Sequence, residues 1–440
     1  MNKDLKVEYL PIDSIKPYKT NPKIHSNKQV EQIMNSMNKF AFIVPITTDE
    51  KNVIIAGHGR FLAAQKLEMK KVPVIKLSHL TEAQKKAYRI ADNKLTEIGE
   101  WNKDLLKLEF VELEKLNLDF SLDITGFDMG EIDVMLDSSI TEKEIEADEK
   151  SNAVPFIKEE EVVSKVGDIW QLGKHRIICG NSLEKKVYEK LFEGKKARMI
   201  FTDPPFNVKI DGHVCGNGKF KHKEFAMASG EMTSEEFTNF LKSIYLLLKE
   251  FSIEGSLHFS CIDWRHVREQ SIAGFEVYDE FKNICTWVKS TGGMGSLYRS
   301  QHEFIFVYKN GRTPHINNVE LGVHGRYRTN VWNYPGVNSF GKNQENLKYH
   351  PTVKNVEMVK DAILDVTKRN DIVLDAFLGS GTTLIAAEQS GRICYGIELD
   401  PLYIDTTIRR WQEITGKPAV HVQTGKIYDE LLDEKMKGDN

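Results

Sequence analysis

The chain has 440 residues, too many for one ordinary domain, so two or three domains are expected. Its 40% hydrophobic and 28% charged content is globular, and a net charge of -4 neither announces nor excludes a nucleic-acid partner, because local patches outweigh totals. Five cysteines without CxxC spacing argue against a zinc ribbon or disulfide scaffold and suit a reducing cytosol; MNKDLKVEYL has no apolar signal core and no stretch is apolar enough to span a membrane, so a cytoplasmic protein without membrane partners is expected.

In residues 1–95, Val7 to Leu10 and Ile43 to Thr47 read as strands, and Ser26-Asn27 can cap a helix carrying Val30, Ile33, Met34 and Met37. The strand Val53 to Ala56 then runs into Gly57-His58-Gly59-Arg60 and a helix from Phe61 to Leu67, and Val72 to Lys76 is a further strand. Strand, glycine turn and helix form a phosphate-receiving geometry: glycines free backbone N–H groups, the helix N-terminus adds positive potential, and Arg60 can clamp an oxyanion. A plain turn with a surface arginine is the competing reading. The block resembles the ParB/sulfiredoxin-like N-terminal domain through Asn21-Pro22-Lys23, Pro45-Ile46, Ala56-Gly57-His58-Gly59-Arg60 and Ala63-Ala64. It departs in having His58, Gly59 and Arg60 where ParB proteins usually carry Glu-Arg-Arg. No cysteine precedes Cys179, which excludes sulfiredoxin redox activity.

Residues 96–137 read as an amphipathic helical extension, with Trp101 and Phe110 as core. Residues 138–161 hold eight acidic and three basic residues and read as a solvated linker. The second domain, 162–416, opens with a hairpin, Asp168 to Leu172 and His175 to Cys179, leading into Gly180-Asn181-Ser182. Met199 to Thr202 is a buried strand ended by Asp203-Pro204-Pro205-Phe206. Two prolines offer no N–H to a ladder, so a rigid loop presents a carboxylate, fixed carbonyls and an aromatic face at the strand's C-terminal edge. That combination can hold a planar amino-bearing base.

Residues 207–231 look like a long loop beside a site. His213, Cys215 and His222 lack a fourth ligand, so no metal is expected. A helix over 233–249 and strands at Leu257 to Cys261, Ile284 to Val288 and Glu303 to Tyr308 follow. Arg299, Arg312, His315, Arg326, Arg328, Trp332 and Tyr334 interleave basic and aromatic residues in a way that suits phosphates and bases.

Asp371 to Thr383 is the clearest signal. Ile372 to Leu374 is a strand, Gly379 and Gly381 make a tight turn, Leu384 to Gln389 is a helix, and Arg392 to Ile397 is a strand ending in Glu398. The third glycine of a dinucleotide fingerprint is missing, and there is no phosphate-cradling GKT or GKS loop. A glycine turn with Asp375 and no cation suits an adenosine ligand without phosphates, namely S-adenosylmethionine. Its methionine end would meet Asp375 and the loop N–H groups, and its ribose Glu398.

With both motifs in view, residues 162–416 closely resemble site-specific DNA amino-methyltransferases of adenine N6 or cytosine N4. Asp203-Pro204-Pro205-Phe206 matches the catalytic motif and Asp375-Ala376-Phe377-Leu378-Gly379-Ser380-Gly381 the cofactor motif. Val166-Gly167-Asp168, Gly180-Asn181-Ser182 and His350-Pro351-Thr352-Val353-Lys354 also match. The order, catalytic motif first, is the family's β group, and implies target recognition over roughly 207–350, with 417–440 left as a tail.

The resemblance implies an α/β chain: a Rossmann-like S-adenosylmethionine-dependent methyltransferase sheet beside a smaller α+β ParB-like domain. It implies catalysis by Asp203, Pro204, Pro205 and Phe206. The expected cofactor set is Asp375, Phe377, Gly379, Ser380, Gly381, Thr382, Glu398, Asn181 and Lys354; DNA contacts are expected at Arg299, Arg312, Arg326, Arg328 and Arg60. Expected partners are double-stranded DNA, a second copy of the chain, and a nucleotide or DNA phosphate at the N-terminal domain. Family members usually have proline at Ala376 and Asn355, tyrosine at Phe206 and an acid at Asn181. Aspartate rather than serine at 203 leans towards adenine. No Pro-Cys pair exists for C5-cytosine chemistry. The rivals are cytosine N4 methylation, a ParB-like DNA-binding or nucleotide switch with an inactive methyltransferase module, and methylation of RNA or protein amides.

Overall fold

A computed structural model describes residues 5–99, 101–116, 118–137, 151–208, 230–290, 292, 297–319, 326–336 and 353–438. The chain forms two units, Met1–Ser138 and Ser139–Asn440. In the first, β1 (Val7–Pro11), β2 (Ile46–Thr48), β3 (Ile54–Ala56) and β4 (Lys71–Lys76) build a sheet in the order β1-β4-β2-β3. Ile46, Ile54, Val72 and Val74 pack with Phe61 and Ala64 of the helix His58–Lys66 to form its core. The expected strand over 43–47 begins only at Ile46, because Pro45 has no N–H for a ladder, and Ile43 and Val44 are exposed. Ser26 caps the helix Asn27–Phe40, accepting from Gln29 N. Helices Lys103–Lys115 and Met129–Asp137 follow, with Phe110 buried against Leu122, Met129 and Ile132. Trp101, expected in the core, is exposed, with its ring edge-on to Phe127 at 5.4 Å.

The second unit is one sheet with helices on both faces. Its strands are β5 (Ile169–Leu172), β6 (His175–Cys179), β7 (Ala197–Thr202), β8 (Ser252–Ile262), β9 (Glu280–Val288), β10 (His302–Lys309), β11 (Val331–Asn333), β12 (Ile372–Asp375), β13 (Ile393–Glu398) and β14 (Val420–His421). They lie in the order β11-β9-β10-β8-β7-β12-β13-β6-β5-β14. The centre, β8-β7-β12-β13-β6, is parallel. Both faces of β7 are covered: Met199 and Phe201 join one core and Ile200 the other, which is why this strand reads as a continuous apolar run. Helices Val356–Val366, Thr382–Gln389 and Pro401–Thr415 cover the first face, and Lys185–Phe192 and Ser234–Glu250 the second.

Three expected boundaries differ. Of the linker 138–161, residues 138–150 lie outside the described residues, but Ser151, Asn152, Val154 and Ile157 are buried. Asn152 Oδ1 accepts from Val356 N at 3.1 Å, so this stretch packs on the second unit despite its charge. Much of the expected recognition region 207–350 belongs to the sheet and its helices; within it, 209–229, 291, 293–296, 320–325 and 337–350 lie outside the described residues, and His213, Cys215 and His222 with them. The expected tail 417–440 supplies β14, which pairs with β5, and the helix Tyr428–Gly438. Tyr428 is fully buried, 5.6 Å from the Trp170 ring, with its hydroxyl 3.1 Å from Asp405 Oδ2.

Removing that ring leaves a cavity at the sheet edge. Tyr428→Ala is expected to cost about 3–5 kcal/mol and Tyr428→Phe about 1 kcal/mol, read as shifts in the unfolding transition of the second unit.

Candidate active site

β7 and β12 are neighbours in parallel register, Val373 beside Met199 and Leu374 beside Ile200. Both strands therefore end at the same edge, and the 203–206 corner and the 375–381 turn, 172 residues apart at their first members (375 − 203), line one edge. β13 ends beside them with Glu398, and β6 ends at Cys179, so the 180–182 turn joins the same edge: Gly180 N donates to the Glu398 carbonyl at 2.8 Å. Asn207, which follows the corner in left-handed backbone, accepts from Gly230 N and Met232 N and donates to the Met232 carbonyl. It holds together the described ends of the 207–231 segment.

At the corner, Lys354 Nζ lies 2.8 Å from Asp203 Oδ2 and 2.9 Å from Glu303 Oε2. Glu303 also pairs with Lys289. The four groups form an alternating row, Lys289–Glu303–Lys354–Asp203, of zero formal charge. Lys354 lies 5.3 Å from the Phe206 ring and 5.9 Å from that of Trp287. Asp203 Oδ1 is buried and has no hydrogen-bond partner among the described residues. Burial pushes the Asp203 carboxyl up against the pull of Lys354, and the Glu303 charge adds to the push. Burial also opposes ionisation of Glu303, but Lys354 and Lys289 together hold it well below the usual range.

At the turn, Asp375 Oδ2 accepts from Thr383 Oγ1 at 2.6 Å and Oδ1 from Phe377 N at 3.1 Å. Glu398 accepts from Gly379 N at 2.8 Å and Asp400 N at 2.9 Å. Gly381 is obligatory on two counts: its φ is +85°, and a Cβ there would stand 2.7 Å from Thr407 Cγ2. Burial pushes Asp375 up to about 7, with Asp203 and Glu398 adding repulsion, and burial raises Glu398 too. Neither acid pairs with a cation among the described residues, so the set fits a ligand with a positive centre and hydroxyls to give.

The expected residues divide. Asp203 to Phe206, Asp375 to Thr382, Glu398 and Asn181 share the edge, with Asn181 Oδ1 accepting from Leu183 N at 3.0 Å. Lys354, expected at the cofactor, sends its ammonium to Asp203, while its carbonyl lies 3.5 Å from Thr382 Oγ1. Arg326 and Arg328 do not present free charge to DNA: both pair with Asp361 and Asp365 of the helix Val356–Val366. Trp332 is buried, and the Tyr334 carbonyl accepts from Trp287 Nε1. Arg312 follows β10, whose C-terminal end pairs with the start of β8, so it sits at the edge opposite Asp203. Arg299, exposed and donating to the Gly292 carbonyl at 2.5 Å, precedes β10 and lies on the catalytic side. Arg60 is half-buried and belongs to the first unit. Glu303 and Lys289 escaped the sequence reading; the available signal was a charge at each end of the apolar strands β9 and β10.

Residues 197–409 match the DNA methylase family of N6 and N4 enzymes, residues 2–93 the ParB N-terminal domain, and residues 104–166 the ParB-methyltransferase HTH domain. The chain is 47% identical over 85 residues to the ParB-like nuclease domain-containing protein YnaK of Escherichia coli K12, covering 19% of this chain and 98% of that one. It is 42% identical to the type II methyltransferase M.HinfI of Haemophilus influenzae, over 55% of this chain and 69% of that one. It is 30% identical to the putative methylase YubD of Escherichia coli K12, over 47% of this chain and 78% of that one. Fold and edge together define an S-adenosylmethionine-dependent DNA methyltransferase. The chain belongs to the N6/N4 DNA methyltransferase family and carries a ParB-like N-terminal domain. No helix among the described residues is long and apolar enough to cross a membrane.

The raised carboxyl sets a pH dependence. Between its ordinary value of 3.8 and about 7, Asp375 holds its proton in the folded chain but not in the unfolded one. Its contribution to stability is therefore lost as pH rises through about 7. A cationic ligand favours the ionised form, so affinity for S-adenosylmethionine is expected to rise about tenfold from about pH 6 to about pH 8. Titration calorimetry at both pH values should show this rise in the native chain and a flat profile in Asp375→Asn.

Proposed function

We propose that this enzyme methylates the exocyclic amine of a base extruded from duplex DNA, with adenine N6 ahead of cytosine N4. The observation that carries this reading is Asp203 Oδ1, a buried acceptor without a partner among the described residues, at a strand tip adjoining that of Asp375. Such an acceptor suits an amine whose lone pair is conjugated into a ring. Asp203 Oδ1 and the Pro204 carbonyl accept its two N–H groups, which draws the nitrogen towards tetrahedral geometry and localises the lone pair. Pro204 and Pro205 fix the carbonyl, and Phe206 offers the base a stacking face. Lys354 occupies Oδ2, leaving Oδ1 to the amine. Asp375, Glu398 and the N–H groups of the 377–382 turn would hold the cofactor, which when bound supplies an electrophilic methyl group. Transfer leaves the amine with a surplus proton, and burial suits Asp203 to receive it. Orientation of amine and donor accounts for most of the rate.

Incubation with methyl-labelled S-adenosylmethionine and duplex DNA, then digestion to nucleosides, is expected to give N6-methyladenine. N4-methylcytosine alone would redirect the specificity, and label in RNA but not DNA would refute the substrate. Asp203→Ala is expected to lower kcat roughly 100-fold or more with cofactor affinity unchanged.

We propose also that the 57–60 turn of the N-terminal unit receives a phosphate of DNA or of a nucleotide. Gly57 is left-handed and opens the helix His58–Lys66, and Arg60 Nε is buried without a partner among the described residues. Burial holds the neighbouring His58 imidazole down to about 4, so it is neutral at physiological pH and Arg60 carries the charge. In the full chain, Arg60→Ala is expected to weaken cytidine triphosphate or duplex binding about tenfold; binding of both unchanged would assign Arg60 to the fold alone.

A further inference from the structure

Arg410, on the helix Pro401–Thr415, is buried to 1% exposure, and its guanidinium lies directly behind the 379–382 turn. Nη1 donates to the Ser380 carbonyl at 2.9 Å and approaches Ser380 Oγ and Thr382 Oγ1 at 3.5 Å. Nη2 donates to the Ser151 carbonyl at 2.6 Å. Nε is buried without a hydrogen-bond partner, and no carboxylate pairs with the group among the described residues. Burial without a counter-charge holds its pKa down to about 10, which still leaves the guanidinium charged at neutral pH.

A buried charge with carbonyls and hydroxyls but no carboxylate for company is costly. Arg326 and Arg328 each have two carboxylates. Across the turn from Arg410, the opposite imbalance holds: Asp375 and Glu398 are acids that gather backbone N–H groups and a hydroxyl rather than cations. The turn therefore separates a positive pole from a negative one. The ligand whose charges match in that order is a zwitterion with its carboxylate towards Arg410 and its cationic centre towards the acids. The methionine end of S-adenosylmethionine is such a ligand.

We propose that Arg410 is a positioning residue whose unpaired buried charge, acting through the Ser380–Thr382 turn, selects the cofactor's carboxylate. This rests on the methyltransferase reading above. It goes further by dividing cofactor recognition between the acids, which serve the cationic centre and ribose, and a cation that makes no direct contact.

The test is a two-by-two binding measurement on the full chain. Native protein and Arg410→Gln are titrated calorimetrically with S-adenosylmethionine and with its decarboxylated analogue, which lacks only the carboxylate. The native protein is expected to bind the analogue more weakly, on the order of tenfold or more, and Arg410→Gln to discriminate far less. An arginine that merely braces the turn would weaken both ligands alike and leave their ratio untouched, and that result overturns the proposal. Equal binding of both by the native protein overturns it without any variant. Should Arg410→Gln fail to fold, Arg410→Lys keeps the charge, and a folded lysine variant that no longer discriminates also refutes it. Native protein that binds neither ligand would refute the methyltransferase reading itself, a separate outcome.

Discussion

Pairing of β7 with β12 is the constraint on which the site depends. The two strands are parallel and adjacent, so their C-terminal ends coincide. A parallel ladder cannot be closed by a tight turn, and here the connection includes three α-helices and four further strands. The 203–206 corner and the 375–381 turn become neighbours through that pairing. The antiparallel strand β10 is folded back beside β8, which brings Glu303 to the same edge from the opposite chain direction.

The site is organised by where charge is balanced and where it is not. Lys289, Glu303, Lys354 and Asp203 neutralise one another in a row, and Asp203 Oδ1 is left without a partner among the described residues. Around the glycine turn the balance is deliberately incomplete: acids on one side, Arg410 on the other. Unpaired buried charge weakens the empty fold, and a ligand of complementary charge offsets that cost when it binds. On the proposed reading of the turn, stability and ligand selection are opposed in the same few side chains.

The departures from the family pattern have local explanations. Asn355 stands where proline is usual, and its side chain caps the helix Val356–Val366 by accepting from Met358 N. Ala376 is buried, with its carbonyl taken by Ser182 Oγ at 2.5 Å. Phe206 keeps an aromatic face against Lys354 without a hydroxyl. In the irregular stretch before that helix, the basic and aromatic residues turn inwards: Asp361 and Asp365 take both arginines, and Trp332 joins the core.

Local chemistry was legible in the sequence. The two prolines after Thr202 had to end a strand, Gly379 and Gly381 had to turn, and the apolar runs had to be buried, because these follow from each residue's own dihedrals, donors and hydrophobicity. What composition could not give was the direction and neighbour of each strand. Arg312 and Arg299 look equivalent along the chain, yet they flank opposite ends of β10, and only the antiparallel ladder to β8 puts Arg299 beside the catalytic edge. Arg326 and Arg328 read as nucleic-acid contacts until a helix more than thirty residues on delivered their carboxylates. Lys354 found Asp203 and Glu303 the same way. A charge declares its presence in the sequence, but its function is set by which opposite charge folding places within a few ångströms, and long-range pairing decides that.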